Sequence, residues 1–411
     1  HKDHVLQFSS LGSFFGKDQV SDFKNRDQFG LAFIPDQRTE TVFYQENYTF
    51  KLDYTDPISK QVKLEVGSQY DINDVGNEYA VFNDDAGVWV VDSSFTNNFT
   101  FVQKVLGVYG TGAYEREKWG VKLGLRVENT DLRTELVTTN QENNQFYTNL
   151  FPTLHTSYKF TPLFSLQAGY SRRIYRPRLW DLNPFFNIRN NFNIRMGNPQ
   201  LQPEYADSYE LTGILILEKI SLNAGVYHLF TTDVIERVSF PENNVNITRP
   251  ENIGTRSKYG IELNGKYTPL KWMTVNGDFN YGQFYRDGTF LDQTFDFSAN
   301  QWTARMTVKF GLPKSIDLEL TGNMESDVRT IQGTTSGFAF LDAGLRKKIK
   351  GGKAIVNVAV RDVFASRINE STAFQNDYYV YSFSQRGRFF TLGFSYSFGK
   401  GEAMTYSGRM H

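Results

Sequence analysis

The sequence predicts an all-β protein, namely a transmembrane, antiparallel, up-and-down β-barrel with about 16 strands in this chain. Three observations predict this fold. Apolar and polar residues alternate with a period of two, aromatic residues are abundant without any long apolar run, and short connections alternate with long ones. The first observation defines the faces of the strands, the second excludes other membrane folds, and the third gives the topology.

The alternation separates an apolar face from a polar face on each predicted strand. In the segment 119–129, Val121, Leu123 and Leu125 share one face, and charged residues and glycine occupy the other. Other segments alternate in the same way: 261–267, 302–310, 316–321 and 390–398. A soluble β-sandwich also alternates, so this pattern alone leaves both folds open.

The composition excludes a helical membrane protein. Aromatic residues make up 16% of the 411 residues, with 36 Phe and 23 Tyr, yet 22% of the chain is charged. No stretch approaches the ~18 consecutive apolar residues of a spanning helix, and the densest apolar segment is 211–217. The chain is also longer than the ~250–300 residues that one soluble core usually supports. A large closed sheet satisfies all of these facts.

The connections distinguish a membrane barrel from a sandwich. Short polar joints alternate with excursions long enough for two strands and a loop, as in outer-membrane barrels with short periplasmic turns and long extracellular loops. The short joints lie at 56–60, 115–118, 161–163, 218–219, 268–271, 313–315 and 350–352. Aromatic residues near these joints predict an interfacial girdle: Tyr54, Tyr114, Trp119, Tyr158, Phe160, Tyr267, Trp272, Phe310 and Phe398.

The joints also give the number of strands and the domain organisation. Seven turns imply fourteen strands, the segment 385–398 adds a fifteenth, and Val5–Leu11 is the best candidate for the sixteenth. Bacterial single-chain barrels have even strand numbers, which places both termini on the periplasmic side. We therefore expect an N-terminal strand and loop segment at 1–40, the barrel at 41–399 and a periplasmic tail at 400–411.

Charge and residue usage exclude several functions. The formal charge of −1 gives no reason to expect a nucleic-acid partner, and the absence of cysteine removes disulfides and thiolate chemistry. The five histidines are not spaced like metal ligands, and no catalytic motif occurs. The segment 71–78 has carboxylates near a glycine, but it lacks the spacing of a calcium loop and is expected to be a polar loop. We expect no enzyme activity, catalytic residue, metal site or cofactor.

The most specific part of the chain is YSRRIYRPRLWDLNPF at 170–185, followed by GNPQLQPEYADSYELTG at 197–213. This pair resembles the middle of the barrel of TonB-dependent receptors of bacterial outer membranes. Three further segments are similar to the Bacteroidetes-type outer membrane protein beta-barrel branch of that group: GLRVENTDL at 124–132, NLFPTLHTSYKFTP at 149–162 and RGRFFTLGFSYSFGKG at 386–401.

The resemblance implies a transporter in the bacterial outer membrane that takes up a nutrient, such as a siderophore, an oligosaccharide or a peptide, through its lumen. It implies contact with outer-membrane lipid and lipopolysaccharide, and with a TonB-type energy-coupling protein through a plug domain. No plug domain or energy-coupling box is found in this sequence, and such receptors have 22 strands. The 16 strands are therefore expected to be either part of a larger barrel or a plugless relative.

Two alternatives to the transporter remain open from the sequence. A plugless barrel could serve as a component of a larger envelope or secretion assembly and hold an envelope protein partner. A barrel of ~16 strands could also be a passive porin.

The candidate ligand contacts lie on the long excursion between two predicted strands and in the lumen. They are Arg172, Arg173, Arg176, Trp180, Asn183, Arg195 and Asn198. Arginine forks suit the carboxylate or phosphate groups of an anionic solute, although the same arginines fit a solvated or lipopolysaccharide-facing rim. In GNPQLQPE the two prolines favour extended neighbours and Gly197 favours a turn, which predicts a rigid loop, with direct ligand contact as the alternative.

Charged residues on the polar faces are expected to line the lumen, because a lipid face would make them costly. Both signs occur, which predicts a salt-bridged, water-filled interior, with a role in selectivity as the alternative. The residues are Lys122, Arg126, Glu128, Glu262, Lys266, Arg305, Lys309, Asp317 and Glu319.

Overall fold

A computed structural model describes residues 4–25, 35–184, 187–190, 193–242, 245–290, 293–375 and 378–398. Nearly all of these residues lie in β-strands or in the turns between them. The tail expected at 400–411 lies outside the described residues. Within the described part of the chain, no helix is long and apolar enough to cross a membrane.

The strands follow one another along the chain with two short helical turns, α1 (Leu179–Leu182) and the 3-10 turn Lys350–Gly352. The strands in the first half are β1 Val5–Phe23, β2 Gln37–Asp56, β3 Val62–Asp85, β4 Val88–Val91, β5 Asn97–Glu115, β6 Trp119–Leu136, β7 Gln141–Lys159, β8 Phe164–Tyr175, β9 Asn187–Asn190, β10 Asn193–Arg195, β11 Glu204–Ile216 and β12 Ile220–Thr232. The strands in the second half are β13 Ile235–Glu242, β14 Val245–Asn252, β15 Thr255–Leu270, β16 Met273–Phe290, β17 Gln293–Leu312, β18 Ile316–Glu325, β19 Val328–Arg329, β20 Gly333–Thr335, β21 Phe338–Ile349, β22 Ala354–Arg361, β23 Ile368–Gln375, β24 Tyr378–Gln385 and β25 Phe389–Tyr396.

Sixteen of the described strands are the antiparallel strands that the sequence predicts, and we call them the wall strands. They are β1, β2, β3, β5, β6, β7, β8, β11, β12, β15, β16, β17, β18, β21, β22 and β25. All seven predicted short joints are short turns between wall strands. The strand expected at Val5–Leu11 is confirmed, and it continues to Phe23.

The chain divides into two compact units. The described residues of unit 1 lie within His1–Ser157, Gly169–Ser208 and Thr231–Thr255, and those of unit 2 lie within Tyr158–Ala168, Tyr209–Phe230 and Arg256–His411. In unit 1, β1, β2, β3, β5 and β6 pair in that order as an antiparallel ladder. In unit 2, β16, β17, β18, β21, β22 and β25 form another antiparallel ladder.

Two small sheets carry the remaining chain between wall strands. In unit 1, β13, β14, β10 and β9 pair in that order, with β10 parallel to β14. In unit 2, β19, β20, β23 and β24 form a second sheet of four strands. Neither sheet is predicted from the sequence, because their short strands lack a long alternating pattern.

The wall strands have the two faces that the alternation predicts. On β6, Leu123 and Leu125 are 57% and 49% exposed on the apolar face, while Arg126 and Glu128 lie on the polar face. An apolar face this open is expected of a strand whose outer side meets lipid instead of a protein core. The polar faces in both units carry charged side chains, such as Arg126 in unit 1 and Arg305 in unit 2.

In unit 1 the polar face becomes apolar toward the long-loop ends of the strands. Phe99 and Phe101 on β5 and Leu132 on β6 are each 1% exposed, although they share a face with the polar residues nearer the short turns. They form a core with three leucines from the segment between β8 and β11, Leu179, Leu182 and Leu201. Each buried leucine stabilises this packing by roughly 1.5–3 kcal/mol.

The acidic segment 71–78 is not the polar loop that we expected. It lies inside β3, where Thr49 on the neighbouring strand donates a 2.7 Å hydrogen bond to Asp71. The strand is long enough to extend past the ~9–11 residues that span a membrane, which the sequence prediction did not allow for.

Candidate functional site

The long segment between β8 and β11 folds back onto the polar face of unit 1. At its start, the Arg176 guanidinium contacts Glu128 Oε2 at 2.5 Å and Thr130 Oγ1 at 3.1 Å on β6. Glu128 is 8% exposed, and its other oxygen binds Arg126 Nε at 2.5 Å. The segment is therefore held to the wall at the point where it leaves β8.

The next contact is the docking of the GNPQLQPE loop on α1. Gly197 N donates to Asn183 O at 2.6 Å, and Asn198 N donates to Asp181 O at 2.7 Å. A Cβ atom on Gly197 would lie 2.6–2.7 Å from backbone atoms of Asn183 and Asp181. Only glycine allows this close approach of two backbones.

The same loop is fixed on its other side by the sheet of β13 and β14. Asn198 Nδ2 donates to Glu251 at 2.8 Å, and Gln202 N donates to Asn252 Oδ1 at 2.8 Å. Leu201 is fully buried, and its carbonyl accepts a 3.0 Å hydrogen bond from Gln145 on β7. The geometry of GNPQLQPE is that of a rigid loop, and Asn198 serves to hold it.

A cavity of about 560 Å³ in unit 1 opens beside this loop, and we call it the Trp180 cavity. Its wall side is a grid of side chains from three neighbouring strands, with Lys17 opposite Phe43 and Phe43 opposite Asn77. The wall contributes Phe15, Lys17, Gln19, Ser21, Phe23, Thr39, Thr41, Phe43, Asn77 and Tyr79. The loop side contributes Trp180, Asn183, Arg195, Met196, Gly197 and Arg237.

The cavity combines aromatic rings with positive charge. The Trp180 ring stacks on Phe43 with centroids 5.7 Å apart and an angle of 15°. The cationic side chains are those of Lys17, Arg195 and Arg237, and none of the described lining residues carries a carboxylate. Arg237 contacts Asp181 at 3.0 Å, yet its side chain remains 53% exposed. Such a lining is suited to a negatively charged solute with a flat or apolar part.

Three of the seven candidate ligand contacts, Trp180, Asn183 and Arg195, come together in this cavity. The remaining candidates lie elsewhere. Arg172 lies over the Tyr205 ring at 5.5 Å and is exposed, as is Arg173. Arg176 and Asn198 make the structural contacts described above.

The sequence reasoning missed the wall side of the cavity. Lys17, Phe43 and Asn77 share a row only because of the register of three strands, and register is not readable from one strand. Their alternation with outward-facing residues was the available signal. It marks them as polar-face residues without showing which strand ends meet the loop.

The polar face of unit 1 also carries the expected network of charges of both signs. Tyr109 OH donates to Asp53 at 2.6 Å, and the Arg126 guanidinium lies over the Tyr109 ring at 5.0 Å. A Cβ atom on Gly107 would meet Arg126 at 2.4 Å, so this glycine makes room for the guanidinium. In this part of the wall, charged groups are paired with one another.

A second cavity, of about 420 Å³, lies on the polar face of unit 2. Its lining is of mixed charge, with Glu262, Asp278 and Glu325 beside Arg305 and Arg367. The Arg367 guanidinium lies over the Phe338 and Phe340 rings, at 5.4 and 5.1 Å. Mixed charge offers less selectivity for one sign of solute than the lining of the Trp180 cavity. Among the residues described, no group of three or more His, Asp or Glu could hold a metal ion.

The fold is similar to that of solved transporters and of a solved siderophore receptor. The copper transporter OprC matches with a TM-score of 0.69 and 11% identity, over 95% of this chain and 64% of that chain. The siderophore receptor PiuA from Acinetobacter baumannii matches with a TM-score of 0.68 and 14% identity, over 95% of this chain and 62% of that chain. The ferric citrate transporter FecA in its unliganded form matches with a TM-score of 0.63 and 11% identity, over 95% of this chain and 59% of that chain. At these identities the similarity shows the fold alone.

The chain spans about three fifths of the length of these solved structures. No curated protein matches it. The predicted all-β fold, the resemblance to TonB-dependent receptor barrels and the outer-membrane location are confirmed. The model of the family described as "Outer membrane protein beta-barrel family" matches residues 1–396, and the chain belongs to that family.

Proposed function

We propose that this chain takes up an anionic nutrient across the bacterial outer membrane and that the Trp180 cavity binds the nutrient. The observation that carries the proposal is the set of three cationic side chains, Lys17, Arg195 and Arg237, in a cavity whose described lining has no carboxylate. Because opposite charges attract most strongly in a partly enclosed site, this set selects against cations and favours anions.

The aromatic part of the cavity narrows the class of solute. Trp180 is 52% exposed while it stacks on Phe43, so one side of the indole remains open for a ligand ring. Flat rings and sugars bind to such surfaces. Among siderophores, oligosaccharides and peptides, the proposal therefore favours a member that carries carboxylate or phosphate groups together with a flat or sugar ring.

The mode of transport that we propose is energy-coupled. Solved structures with this fold include a siderophore receptor and a ferric citrate transporter, and this chain spans about three fifths of their length. We propose that a plug domain and a TonB-type energy-coupling protein complete the transporter. The rigid packing of the segment after Arg176 supports a site that holds its solute rather than a wide open pore.

We also propose that the chain catalyses no reaction. It belongs to a family of outer-membrane barrels that is generally non-enzymatic. Several charged groups of the wall in unit 1 are paired with one another, as in Lys51 with Asp53 at 2.9 Å. Such pairs support the wall and offer no activated nucleophile.

The experiment that tests the function uses pyranine, a flat aromatic trisulfonate, as the probe. Liposomes are loaded with pyranine, the protein is inserted, and the dye that remains inside is measured, while binding of external dye is followed by fluorescence anisotropy. We expect saturable binding and no leakage. A cationic dye of similar size, rhodamine 6G, is the control and should bind at least about ten-fold more weakly, a difference of ~1.4 kcal/mol.

The same experiment separates the alternatives. Steady leakage of pyranine without saturable binding would show a passive porin and contradict our proposal. No binding and no leakage, together with a second polypeptide that co-purifies in equal amount under mild detergent, would favour the assembly component instead.

A further inference from the structure

The apolar face of unit 2 has a depression of about 470 Å³. Because the chain is an outer-membrane barrel protein, this face meets the lipid acyl chains. An ordinary lipid-facing wall carries a large apolar side chain at most outward positions. The depression shows that several of these positions are instead left nearly empty.

Small residues in a regular arrangement create the depression. Gly277 on β16 and Gly322 on β18 both lie opposite Met306 on β17. A Cβ atom added to either glycine would meet no atom within 4 Å. In the next row, Ala304 lies between Phe279 and Met324. The glycines and Ala304 thus form the floor of the depression, and the larger side chains of Phe279, Met306 and Met324 form its rim.

The short turns below the depression are basic. Lys219, Lys271 and Lys314 are exposed in the turns that lead into β12, β16 and β18, and the acidic residue in these turns is Glu218. Two of the turns are in contact, because Thr268 N donates to Lys219 O at 2.8 Å and Lys219 Nζ lies 3.5 Å from Pro269 O. Lys219 and Lys271 therefore lie on neighbouring turns at the periplasmic membrane surface, and Lys314 adds a third exposed lysine on the turn between β17 and β18.

The distance between the two features matches one lipid leaflet. Gly277 follows Lys271 by six residues. Six residues of a strand tilted by ~35–45° rise about 15 Å along the membrane normal, which is half of the ~30 Å hydrocarbon core. A lipid whose headgroup lies at the turns can place the end of an acyl chain in the depression.

We propose that unit 2 has a specific site for an anionic phospholipid of the periplasmic leaflet. Its phosphate binds to Lys219 and Lys271, whose turns are in contact, and one acyl chain occupies the depression over Gly277 and Gly322. Charge complementarity selects an anionic headgroup, because three lysines outnumber one glutamate. Met306 and Met324 adapt to the chain, since methionine side chains are flexible and polarisable.

Native mass spectrometry tests the site. The full chain is purified in mild detergent and reconstituted in nanodiscs of dipalmitoyl phosphatidylethanolamine and phosphatidylglycerol. The protein is then released from the nanodiscs in the mass spectrometer, and the lipids that remain bound are identified by their masses. We expect one phosphatidylglycerol per chain, preferred over phosphatidylethanolamine at least five-fold. Equal retention of the two lipids, or retention of neither, would overturn the proposal.

Variants separate the two halves of the site. Gly277→Leu with Gly322→Leu fills the depression and should reduce bound phosphatidylglycerol at least ten-fold. Gly112→Leu is the matched control, because Gly112 also faces outward on β5 with open space and lies opposite Leu64 and Leu123. Retention of the lipid by the filled variant, or its equal loss from the control, would contradict the site.

The headgroup is tested with Lys219→Gln and Lys271→Gln. Each change should lower the preference for phosphatidylglycerol over phosphatidylethanolamine about five-fold. The glycine variant, whose depression is filled, should instead bind both lipids more weakly. Correct folding of every variant is checked by heat-modifiable migration in gel electrophoresis. An unchanged preference in the double lysine variant would show that the turns do not bind the headgroup.

Discussion

Arg176 and Glu128 form an ion pair of 2.5 Å between the segment after β8 and the polar face of β6. Glu128 also binds Arg126 at 2.5 Å, so one nearly buried carboxylate is shared by two guanidinium groups. Removing such a carboxylate leaves two partly buried guanidinium groups without their ion-pair partner, which costs more than the pair itself contributes. This pair is therefore one of the contacts that hold the segment of the Trp180 cavity on the wall, together with the buried Leu179, Leu182 and Leu201.

Glu128→Gln should loosen that segment while the wall strands remain paired. We expect a loss of about 3 kcal/mol in the free energy that holds the segment, measured by the rate of proteolytic cleavage within 176–203 as urea is added. Asp131→Asn is the control, because the pair of Asp131 with Arg133 is exposed and should contribute less than about 1 kcal/mol. Equal sensitivity of the two variants would contradict the role of Glu128.

Gly197→Ala should break the docking of the GNPQLQPE loop on α1. The new Cβ atom would lie 2.6–2.7 Å from backbone atoms, and backbone cannot move aside as a side chain can. Overpacking of this kind costs about 1–3 kcal/mol. Hydrogen exchange of the amides of Gly197 and Asn198 should accelerate. In Gly112→Ala, where no atom lies within 4 Å, exchange across the protein should stay unchanged.

Acid should loosen the loop that follows β22. Burial alone raises the pKa of Asp362, but the backbone N–H groups of Arg367 and Ser366 donate to its carboxylate and hold the pKa below its usual range. The usual value of ~3.9 applies to the unfolded loop. The carboxylate therefore contributes stability that is complete above about pH 4 and is lost as the pH falls through the lower folded pKa.

Hydrogen exchange of a peptide from this loop, measured at pH 6 and pH 3 and corrected for the intrinsic rate, checks this prediction. The peptide should lose protection at pH 3 in the native protein. Asp362→Asn should lose protection at both pH values, since asparagine tolerates the positive φ of 52° at this position but accepts fewer hydrogen bonds. If protection in the native protein did not depend on pH, the Asp362 carboxylate would not be the group that holds this loop.

The wall was predictable because its signals are local. Each strand shows its own alternation, as in Leu123 and Leu125, and each turn shows its own polar joint, so the series of strands follows without knowledge of their contacts. The same rule failed at the long-loop ends of unit 1. After Val127, the apolar positions of β6 change phase to Leu132 and Leu136, and this shift in the sequence indicated that something packs on the polar face.

The candidate site was only partly predictable. Trp180, Asn183 and Arg195 came from a motif in one segment, and the structure brings them together. Lys17 and Phe43 could not be assigned to the site, because strand register and the docking of a distant loop decide which polar-face residues line a cavity. Long-range pairing of this kind leaves no mark in the spacing of a single chain.

The dissociation constant of pyranine for the native protein and for two variants tests whether the Trp180 cavity binds an anionic solute. Trp180→Ala with Arg195→Gln should raise the dissociation constant at least about ten-fold, because a stacked ring and a charge-assisted contact are lost. Arg173→Gln removes an exposed arginine outside the cavity lining and should leave the constant unchanged. An equal dissociation constant in all three proteins would show that the Trp180 cavity does not bind the anion.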